Sequence, residues 1–332
     1  MEDGALNDSN DSLAEPAAPA PGPAQEDDLE EVLSRFDAET EILDLEHARV
    51  RRIRGFQRFA QLTELCLRNN LLTVMEGLDS MPQLKQLDLY DNQLERIEGL
   101  QNLPQLELLD LSYNRLRVVE GLEGLSSLRK LYLVHNKITH IPLFPPALQG
   151  LILLELGDNR IRKIENLHSL PALKELYLGK NKITKIQGLD TLTGLTLLAL
   201  TGNRLTQMEN LEKLTNLTDL YISENGLTAI QGLQTNTELT TLDLTMNQIS
   251  SLSGVSHLSK LTDFWMNDNA IESWAEIETE LRSLEALRCV YFERNPIYSH
   301  EESAYRRKMM LALPQVTQID ALACREETAP AT

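Results

Sequence analysis

Acidic and aromatic side chains recur at one fixed position of a repeated motif, the residue between the two apolar residues of each Leu-x-Leu segment. We call these residues the recognition column: Asp44, Cys66, Asp88, Asp110, Tyr132, Glu155, Tyr177, Ala199, Tyr221, Asp243, Trp265 and Tyr291. Five are acidic, five are aromatic and none is basic. Aromatic rings surrounded by charge are typical of surfaces that recognise another protein. The chemistry that the pattern predicts is therefore non-covalent recognition.

Side chains that support catalysis or metal binding are scattered instead. No histidine pairs with Cys or acids at metal-ligand spacing, and Gly-rich phosphate loops and nucleophile elbows are missing. The six histidines are His47, His135, His140, His168, His257 and His300. Of these, His135 is expected near Asp158, on the side of the fold that carries the recognition column, as an isolated surface histidine. The sequence predicts no enzyme, no cofactor and no metal.

The three cysteines also show no spacing that would suggest a metal site. Cys66, Cys289 and Cys324 are far apart and form no CxxC pair. A disulfide framework or a structural zinc site is not expected, and a reducing compartment fits this usage.

The elements that position the recognition column are repeats of the form L-x-x-L-x-L-x-x-N-x-I/L. Their asparagines are Asn70, Asn92, Asn114, Asn136, Asn159, Asn181, Asn203, Asn225, Asn247, Asn269 and Asn295. Successive asparagines are 22 residues apart, except for one spacing of 23 and one of 26. One more repeat precedes them, with Ala48 in place of the asparagine. Twelve repeats are therefore predicted in residues 39–296.

The period of the motif predicts the fold. Alternation within Leu-x-Leu indicates a short strand, and strands of successive repeats stack in parallel about 4.8 Å apart. The asparagine amide can donate to and accept from backbone groups of neighbouring turns. The remainder of each repeat returns on a wider outer side as a short helical or 3₁₀ segment. We predict an α/β repeat solenoid, a horseshoe whose parallel β-sheet lines the concave face and carries the recognition column.

Two repeats depart from the regular period. Residues 141–146 include three prolines, Pro142, Pro145 and Pro146, which predict an extended outer segment. Residues 274–281 lie in the long repeat and leave room for a genuine α-helix.

The two ends of the chain differ from the array. Residues 1–38 are acidic and rich in Ala and Pro, and we predict a disordered tail that serves solubility, with regulation by phosphorylation as the alternative. Residues 297–324 are expected to cap the array. The cap contains an amphipathic helix in 305–314 that ends at Pro314, and Val316 and Ile319 are then expected to close the core. Residues 325–332 are predicted to be a second disordered tail.

Charge and hydropathy exclude several classes of partner. The formal net charge is −19, which disfavours nucleic acid and anionic membranes and favours a partner with a basic surface. We expect no signal peptide, and the most apolar stretch, residues 148–154, is too short to span a bilayer.

Packing between stacked strands also favours aromatic residues in the recognition column. It does not explain why acidic residues share the same surface with them.

Four stretches are more specific than a generic repeat: LDLYDNQ at 87–93, LGKNKITK at 178–185, FWMNDN at 264–269 and RRKMMLALP at 306–314. Together with the 22-residue period and the Ile/Leu-Glu-Gly/Asn-Leu return segment, they resemble the leucine-rich-repeat regulators of type 1 protein phosphatase. The resemblance extends from about residue 40 to the end of the cap. It implies a non-catalytic subunit that binds the phosphatase catalytic subunit, in company with a further phosphatase inhibitor or regulatory subunit. It also implies a location in the nucleus and the cytoplasm.

Carried over position by position, the binding residues of that family fall on Asp110, Tyr132, Glu155, Tyr177, Asp243, Asp263, Trp265 and Tyr291. The family typically has Phe where this chain has Tyr132 and Tyr177, and Glu where it has Asp263, so the added hydroxyls need partners. A linear phosphatase-docking motif is not found, because the stretch 52–56 places Phe56 one residue too far. The folded concave surface is therefore expected to provide the binding.

Two other hypotheses stay open at this point. A similar array can serve as a scaffold of a ribonucleoprotein or a microtubule-associated assembly, and purification with such a partner and no phosphatase would favour that interpretation. Intrinsic hydrolase activity in highly pure protein would favour an enzyme.

Overall fold

Twelve short parallel strands and one terminal hairpin form a single sheet. The computed structural model of the chain describes residues 27–300 and 302–324. The parallel strands are β1 (Ile42–Asp44), β2 (Glu64–Cys66), β3 (Gln86–Asp88), β4 (Leu108–Asp110), β5 (Lys130–Tyr132), β6 (Leu153–Glu155), β7 (Glu175–Tyr177), β8 (Leu197–Ala199), β9 (Asp219–Tyr221), β10 (Thr241–Asp243), β11 (Asp263–Trp265) and β12 (Cys289–Tyr291). They follow one another in chain order through the sheet. The predicted leucine-rich-repeat solenoid is thus confirmed.

The central residue of each parallel strand from β1 to β12 faces the core. Leu87, Leu154 and Leu242 are completely buried, and each pairs in register with the central residue of the neighbouring strands. Strand residues on either side of these leucines lie on the opposite face of the sheet, as the two-residue alternation requires. One leucine core therefore runs the length of the array, and the recognition column lies outside it.

The repeat asparagines join consecutive turns through backbone hydrogen bonds. Asn136 is representative: its Oδ1 accepts from the Leu116 N–H at 2.9 Å, and its Nδ2 donates to the Leu111 and Leu133 carbonyls at 3.0 and 3.2 Å. The side chain is only 8% exposed. Each asparagine thus satisfies backbone groups of two turns that have no ladder partner.

Segments on the outer side are mostly turns. Helices of 3₁₀ type occur at Phe56–Arg58, Pro146–Gly150 and Leu167–Ser169. The expectation of an extended segment at the three prolines was therefore wrong from Pro146 onward, because Pro at the first position of a helix costs no hydrogen bond.

The long repeat also differs from its prediction. It forms one short α-helical turn, α2 (Trp274–Glu276), and then a π-helical turn at Ile277–Leu281. The expected regular α-helix was therefore wrong for most of its length. Ile277 and Leu281 are both buried, so the wider turn keeps these two apolar side chains facing the core.

The C-terminal end covers the last layer of the core. Helices α3 (Pro296–Ser299) and α4 (Glu302–Ala312) precede an antiparallel hairpin of β13 (Gln318–Ile319) and β14 (Leu322–Ala323). Met309, Val316 and Ile319 are buried there. Strand β13 pairs in parallel with β12 and thereby closes the open edge of the array.

The N-terminal prediction needs a correction. Helix α1 (Asp27–Ser34) lies within the predicted disordered tail, so that prediction was wrong for these residues. Leu29, Val32 and Leu33 fall at helical spacing, and Arg35 pairs with Glu31 at 2.9 Å, one turn earlier. Residues 1–26 and the predicted tail 325–332 lie outside the described residues.

No helix among residues 27–300 and 302–324 combines the length and the apolar character that a bilayer crossing needs.

Candidate functional site

The structure places the recognition column on one continuous line across the sheet. Each member is the last residue of its strand and pairs in register with the next member, from Asp44 on β1 to Tyr291 on β12. Asp263 begins β11, two residues before Trp265, and lies on the same face. All eight sequence-predicted site residues therefore share one face of the sheet.

Aromatic rings gather at the C-terminal end of the recognition column. The Trp265 ring lies 6.2 Å from that of Tyr221 and 6.1 Å from that of Tyr291, the latter in an edge-to-face arrangement. Asp243 lies between Tyr221 and Trp265 and is 8% exposed. Trp265 and Tyr291 are half-buried, so each ring keeps an accessible surface. We call the three rings of Tyr221, Trp265 and Tyr291, together with Asp243 between them, the aromatic cluster.

Acidic and phenolic groups alternate in the middle of the column, on β4 to β7. Burial raises the pKa of the Glu155 carboxyl to about 7, against a backbone N–H bond from Gly157 that lowers it. Burial also raises the pKa of Asp110 and of Tyr132. A basic group of a partner would lower the pKa of these carboxyls and favour their charged form.

The Tyr177 hydroxyl has a partner that the sequence did not reveal. It donates to Glu175 Oε2 at 3.0 Å, from the last to the first residue of β7. Burial and this bond raise the pKa of Tyr177. Glu175 therefore belongs to the same surface, at the position equivalent to that of Asp263 on β11.

Acids in the column have a structural role as well. The carboxylates of Asp88, Asp110 and Asp243 each accept a backbone N–H from two residues further on, at 3.0, 2.8 and 3.0 Å. Asp44 and Glu155 do the same. This N–H lies just beyond the strand and would lack a ladder partner. Strand-end capping thus explains part of the acid pattern.

Sequence reasoning missed a stack of side chains beside the N-terminal half of the column. Arg68 lies 4.3 Å from the Tyr90 ring centre, Tyr90 lies 4.8 Å from Tyr113, and Tyr113 stacks on His135 at 4.5 Å and 19°. His135 Nδ1 is 2.5 Å from Asp158 Oδ2, which confirms the expected proximity. Each of these residues follows a residue of the recognition column by two or three positions. Comparing this position between repeats would have revealed the stack from the sequence.

The described residues contain little that could support covalent chemistry. Burial raises the pKa of the Cys66 and Cys289 thiols to about 11, which makes both weak nucleophiles at neutral pH. Within residues 27–300 and 302–324, no group of three or more His, Cys, Asp or Glu side chains could hold a metal ion.

Two sequence families of leucine-rich repeats match segments of this chain. The family described as Leucine rich repeat matches residues 96–138, 126–183 and 154–205, and the family described as Leucine Rich repeats (2 copies) matches residues 60–102.

Solved structures share the fold. The internalin InlF of Listeria monocytogenes is 22% identical, with a TM-score of 0.67 over 89% of this chain and 94% of that one. A leucine-rich-repeat protein of Leptospira interrogans is 26% identical, with a TM-score of 0.63 over 80% of this chain and 74% of that one.

Shorter segments are more similar to phosphatase regulators. A Caenorhabditis elegans protein phosphatase 1 regulatory subunit SDS22 homolog is 56% identical over 43 residues, which is 13% of each chain. Human protein phosphatase 1 regulatory subunit 7 is 51% identical over 51 residues, 15% of this chain and 13% of that one. Schizosaccharomyces pombe protein phosphatase 1 regulatory subunit SDS22 is 49% identical over 51 residues, 15% of each chain. The matched segments thus span less than a sixth of these relatives.

Proposed function

We propose that this leucine-rich-repeat chain, segments of which are similar to protein phosphatase 1 regulatory subunits, is a non-catalytic subunit that binds the catalytic subunit of type 1 protein phosphatase. The recognition column and Asp263 are the proposed binding surface. The choice of partner is supported by the names of the similar regulators, and the choice of surface by the aromatic cluster on the concave sheet.

The aromatic cluster is the observation that carries the proposal. Trp265 and Tyr291 present half-buried rings held edge to face, and tryptophan and tyrosine are the residues that most often dominate protein interfaces. Stacking against neighbours fixes their rotamers before a partner arrives, which reduces the entropy lost on binding. A metabolite would need a closed pocket, whereas this surface is open and extended.

Dimensions and charge suit a folded domain with a basic surface. Eight strand steps separate Asp110 from Tyr291, about 40 Å at the usual strand spacing. Asp110, Glu155, Asp243 and Asp263 supply carboxylates along this distance, and the chain carries a net charge of −19. The negative electrostatic potential of these carboxylates steers a basic protein surface toward the sheet and repels nucleic acid and anionic membranes.

Regulation would follow from differential binding. A subunit that fits one state of the phosphatase better than another shifts the population toward that state. Activity, maturation or partner choice of the phosphatase would change accordingly, in a complex that also accommodates a further inhibitor or regulatory subunit. We propose that this takes place in both nucleus and cytoplasm.

Reconstitution from purified components tests the proposal. The full chain and the type 1 phosphatase catalytic subunit are mixed and separated by size-exclusion chromatography. We expect co-elution for the wild type and separate peaks for the double variant Trp265→Ala/Tyr291→Ala.

The matched control uses the same residue types away from the sheet. Trp274→Ala/Tyr298→Ala alters rings on α2 and α3 and should co-elute like the wild type. Failure of the wild-type chain to bind the phosphatase would refute the choice of partner. Purification with a ribonucleoprotein or microtubule-associated assembly instead would support the alternative scaffold.

A further inference from the structure

A row of basic side chains lies on the flank of the solenoid, apart from the recognition column. We call it the basic row. It consists of the residue immediately after the repeat asparagine in five consecutive repeats: Arg115, Lys137, Arg160, Lys182 and Arg204. The equivalent residues of the flanking repeats are uncharged, at Leu71 and Gln93 on one side and at Gly226, Gln248 and Ala270 on the other. Leu71 and Gln93 separate the row from Arg49 of the first repeat.

Backbone hydrogen bonds hold the basic row at a regular spacing. The N–H of Arg115 donates to the Leu94 carbonyl of the preceding repeat at 2.8 Å, and the other four members make the equivalent bond at the same distance. The preceding asparagine in each repeat is itself fixed to two turns of the backbone. The five Cα positions are therefore as well defined as the sheet, and five like charges span about 19 Å at the usual strand spacing.

Members of the row have no acidic partner in the described part of the chain. None of the five forms a salt bridge within residues 27–300 and 302–324, and neither do Arg117 and Arg162, two residues further on in their repeats. By contrast, Lys163 and Lys185 nearby are paired with Glu165 and Glu209. Like charges side by side repel each other, and an anionic ligand would relieve this repulsion.

The surroundings of the row restrict the shape of that ligand. Further along each repeat, Glu165 and Glu209 are already paired with Lys163 and Lys185, whereas the recognition column on the other side of the row is acidic. A broad polyanion such as a nucleic acid would meet this acidic column. An extended peptide is narrow enough to stay on the row, and about six extended residues match the length of the row.

Next to the N-terminal end of the row, the surface offers an aromatic platform. Arg115 and Lys137 line a shallow groove together with Tyr113 and His135, whose rings stack on each other. Tyr113 is 40% exposed. A peptide that follows the basic row therefore has a ring surface for an apolar side chain beside its acidic residues.

We infer that the basic row is a second docking surface, which binds an extended acidic segment of another protein while the concave sheet holds its own partner. This inference goes beyond the proposed function and does not depend on which protein occupies the sheet. A chain with two such surfaces can bring two proteins into one complex.

Fluorescence anisotropy with a labelled decaglutamate peptide and the full-length chain tests the inference at low salt. We expect saturable binding that weakens as salt is added. The double variant Arg160→Glu/Lys182→Glu should reduce the affinity at least 10-fold. The matched control Lys85→Glu/Lys213→Glu makes the same change in net charge at exposed positions elsewhere in the repeats, and it should stay within about 3-fold of the wild type.

Three results would overturn the inference: no saturable binding by the wild type, an equal loss in the control variant, or displacement of the peptide by a ten-nucleotide single-stranded DNA at lower concentration than by unlabelled decaglutamate. Circular dichroism and thermal melting check that each variant is folded. The variant Trp265→Ala/Tyr291→Ala should bind the peptide like the wild type, which separates this surface from the recognition column.

Discussion

The Glu155→Gln substitution should make the solenoid more stable at alkaline pH and leave it unchanged in acid. Glu155 Oε1 accepts the Gly157 N–H at 2.8 Å, and burial together with the charge of Asp110 raises the pKa of the carboxyl to about 7. A glutamine amide oxygen can accept the same bond and carries no charge. The substitution therefore removes the charge while keeping the shape and the hydrogen bond.

The magnitude and the sign follow from linkage between protonation and folding. An unfolded glutamate has a pKa of about 4.3, and each unit of difference corresponds to about 1.4 kcal/mol. The difference between 4.3 and about 7 amounts to about 4 kcal/mol for Glu155, reduced to about 2 kcal/mol because the side chain retains contact with solvent. Since the folded-state pKa is raised, the stability from this group is complete below pH 4.3. It is lost as the pH rises to about 7.

Urea unfolding followed by circular dichroism at pH 4.5 and pH 8 measures the effect. We expect Glu155→Gln to match the wild type at pH 4.5 and to exceed its free energy of unfolding by about 2 kcal/mol at pH 8. The control Glu98→Gln removes the same charge at an exposed outer position. Equal pH profiles for wild type and Glu155→Gln would refute the reasoning.

Three further substitutions separate stability from binding. Asn136→Ala leaves the buried Leu116 N–H without an acceptor and should lower the free energy of unfolding by about 3 kcal/mol or more, measured by urea titration. Gly77→Ala places a Cβ 2.2 Å from the Ile53 carbonyl oxygen at a φ of +75°, so it should lower the melting temperature by several degrees. Asp243→Asn keeps the backbone hydrogen bond but loses the charge, so it should weaken phosphatase binding about 10-fold in calorimetry with an unchanged melting temperature.

Regular features of the array could be predicted from the sequence because they repeat. The asparagine period gave the register, the alternation around each central leucine gave the buried face, and the two together placed Trp265, Tyr291 and Asp243 on the sheet surface. These features depend only on local periodicity, which is copied in every repeat.

Interactions between neighbouring repeats could not be predicted in the same way. The stack of Tyr90, Tyr113 and His135 depends on how far each side chain reaches across the space between turns. The raised pKa of Glu155 depends on burial by adjacent strands. The π-helical turn at Ile277–Leu281 reflects packing of two apolar residues against the core, which overrides local helical preference.

Isothermal titration calorimetry of the type 1 phosphatase catalytic subunit against Trp265→Ala/Tyr291→Ala tests the central claim most directly. A central interface aromatic contributes about 2 to 4 kcal/mol, and such contributions do not add fully, so the double variant should lose at least about 30-fold in affinity. Trp274→Ala/Tyr298→Ala should bind within about 3-fold of the wild type. Wild-type affinity in the sheet variant, or an equal loss in both variants, would contradict the assignment of the recognition column as the binding surface.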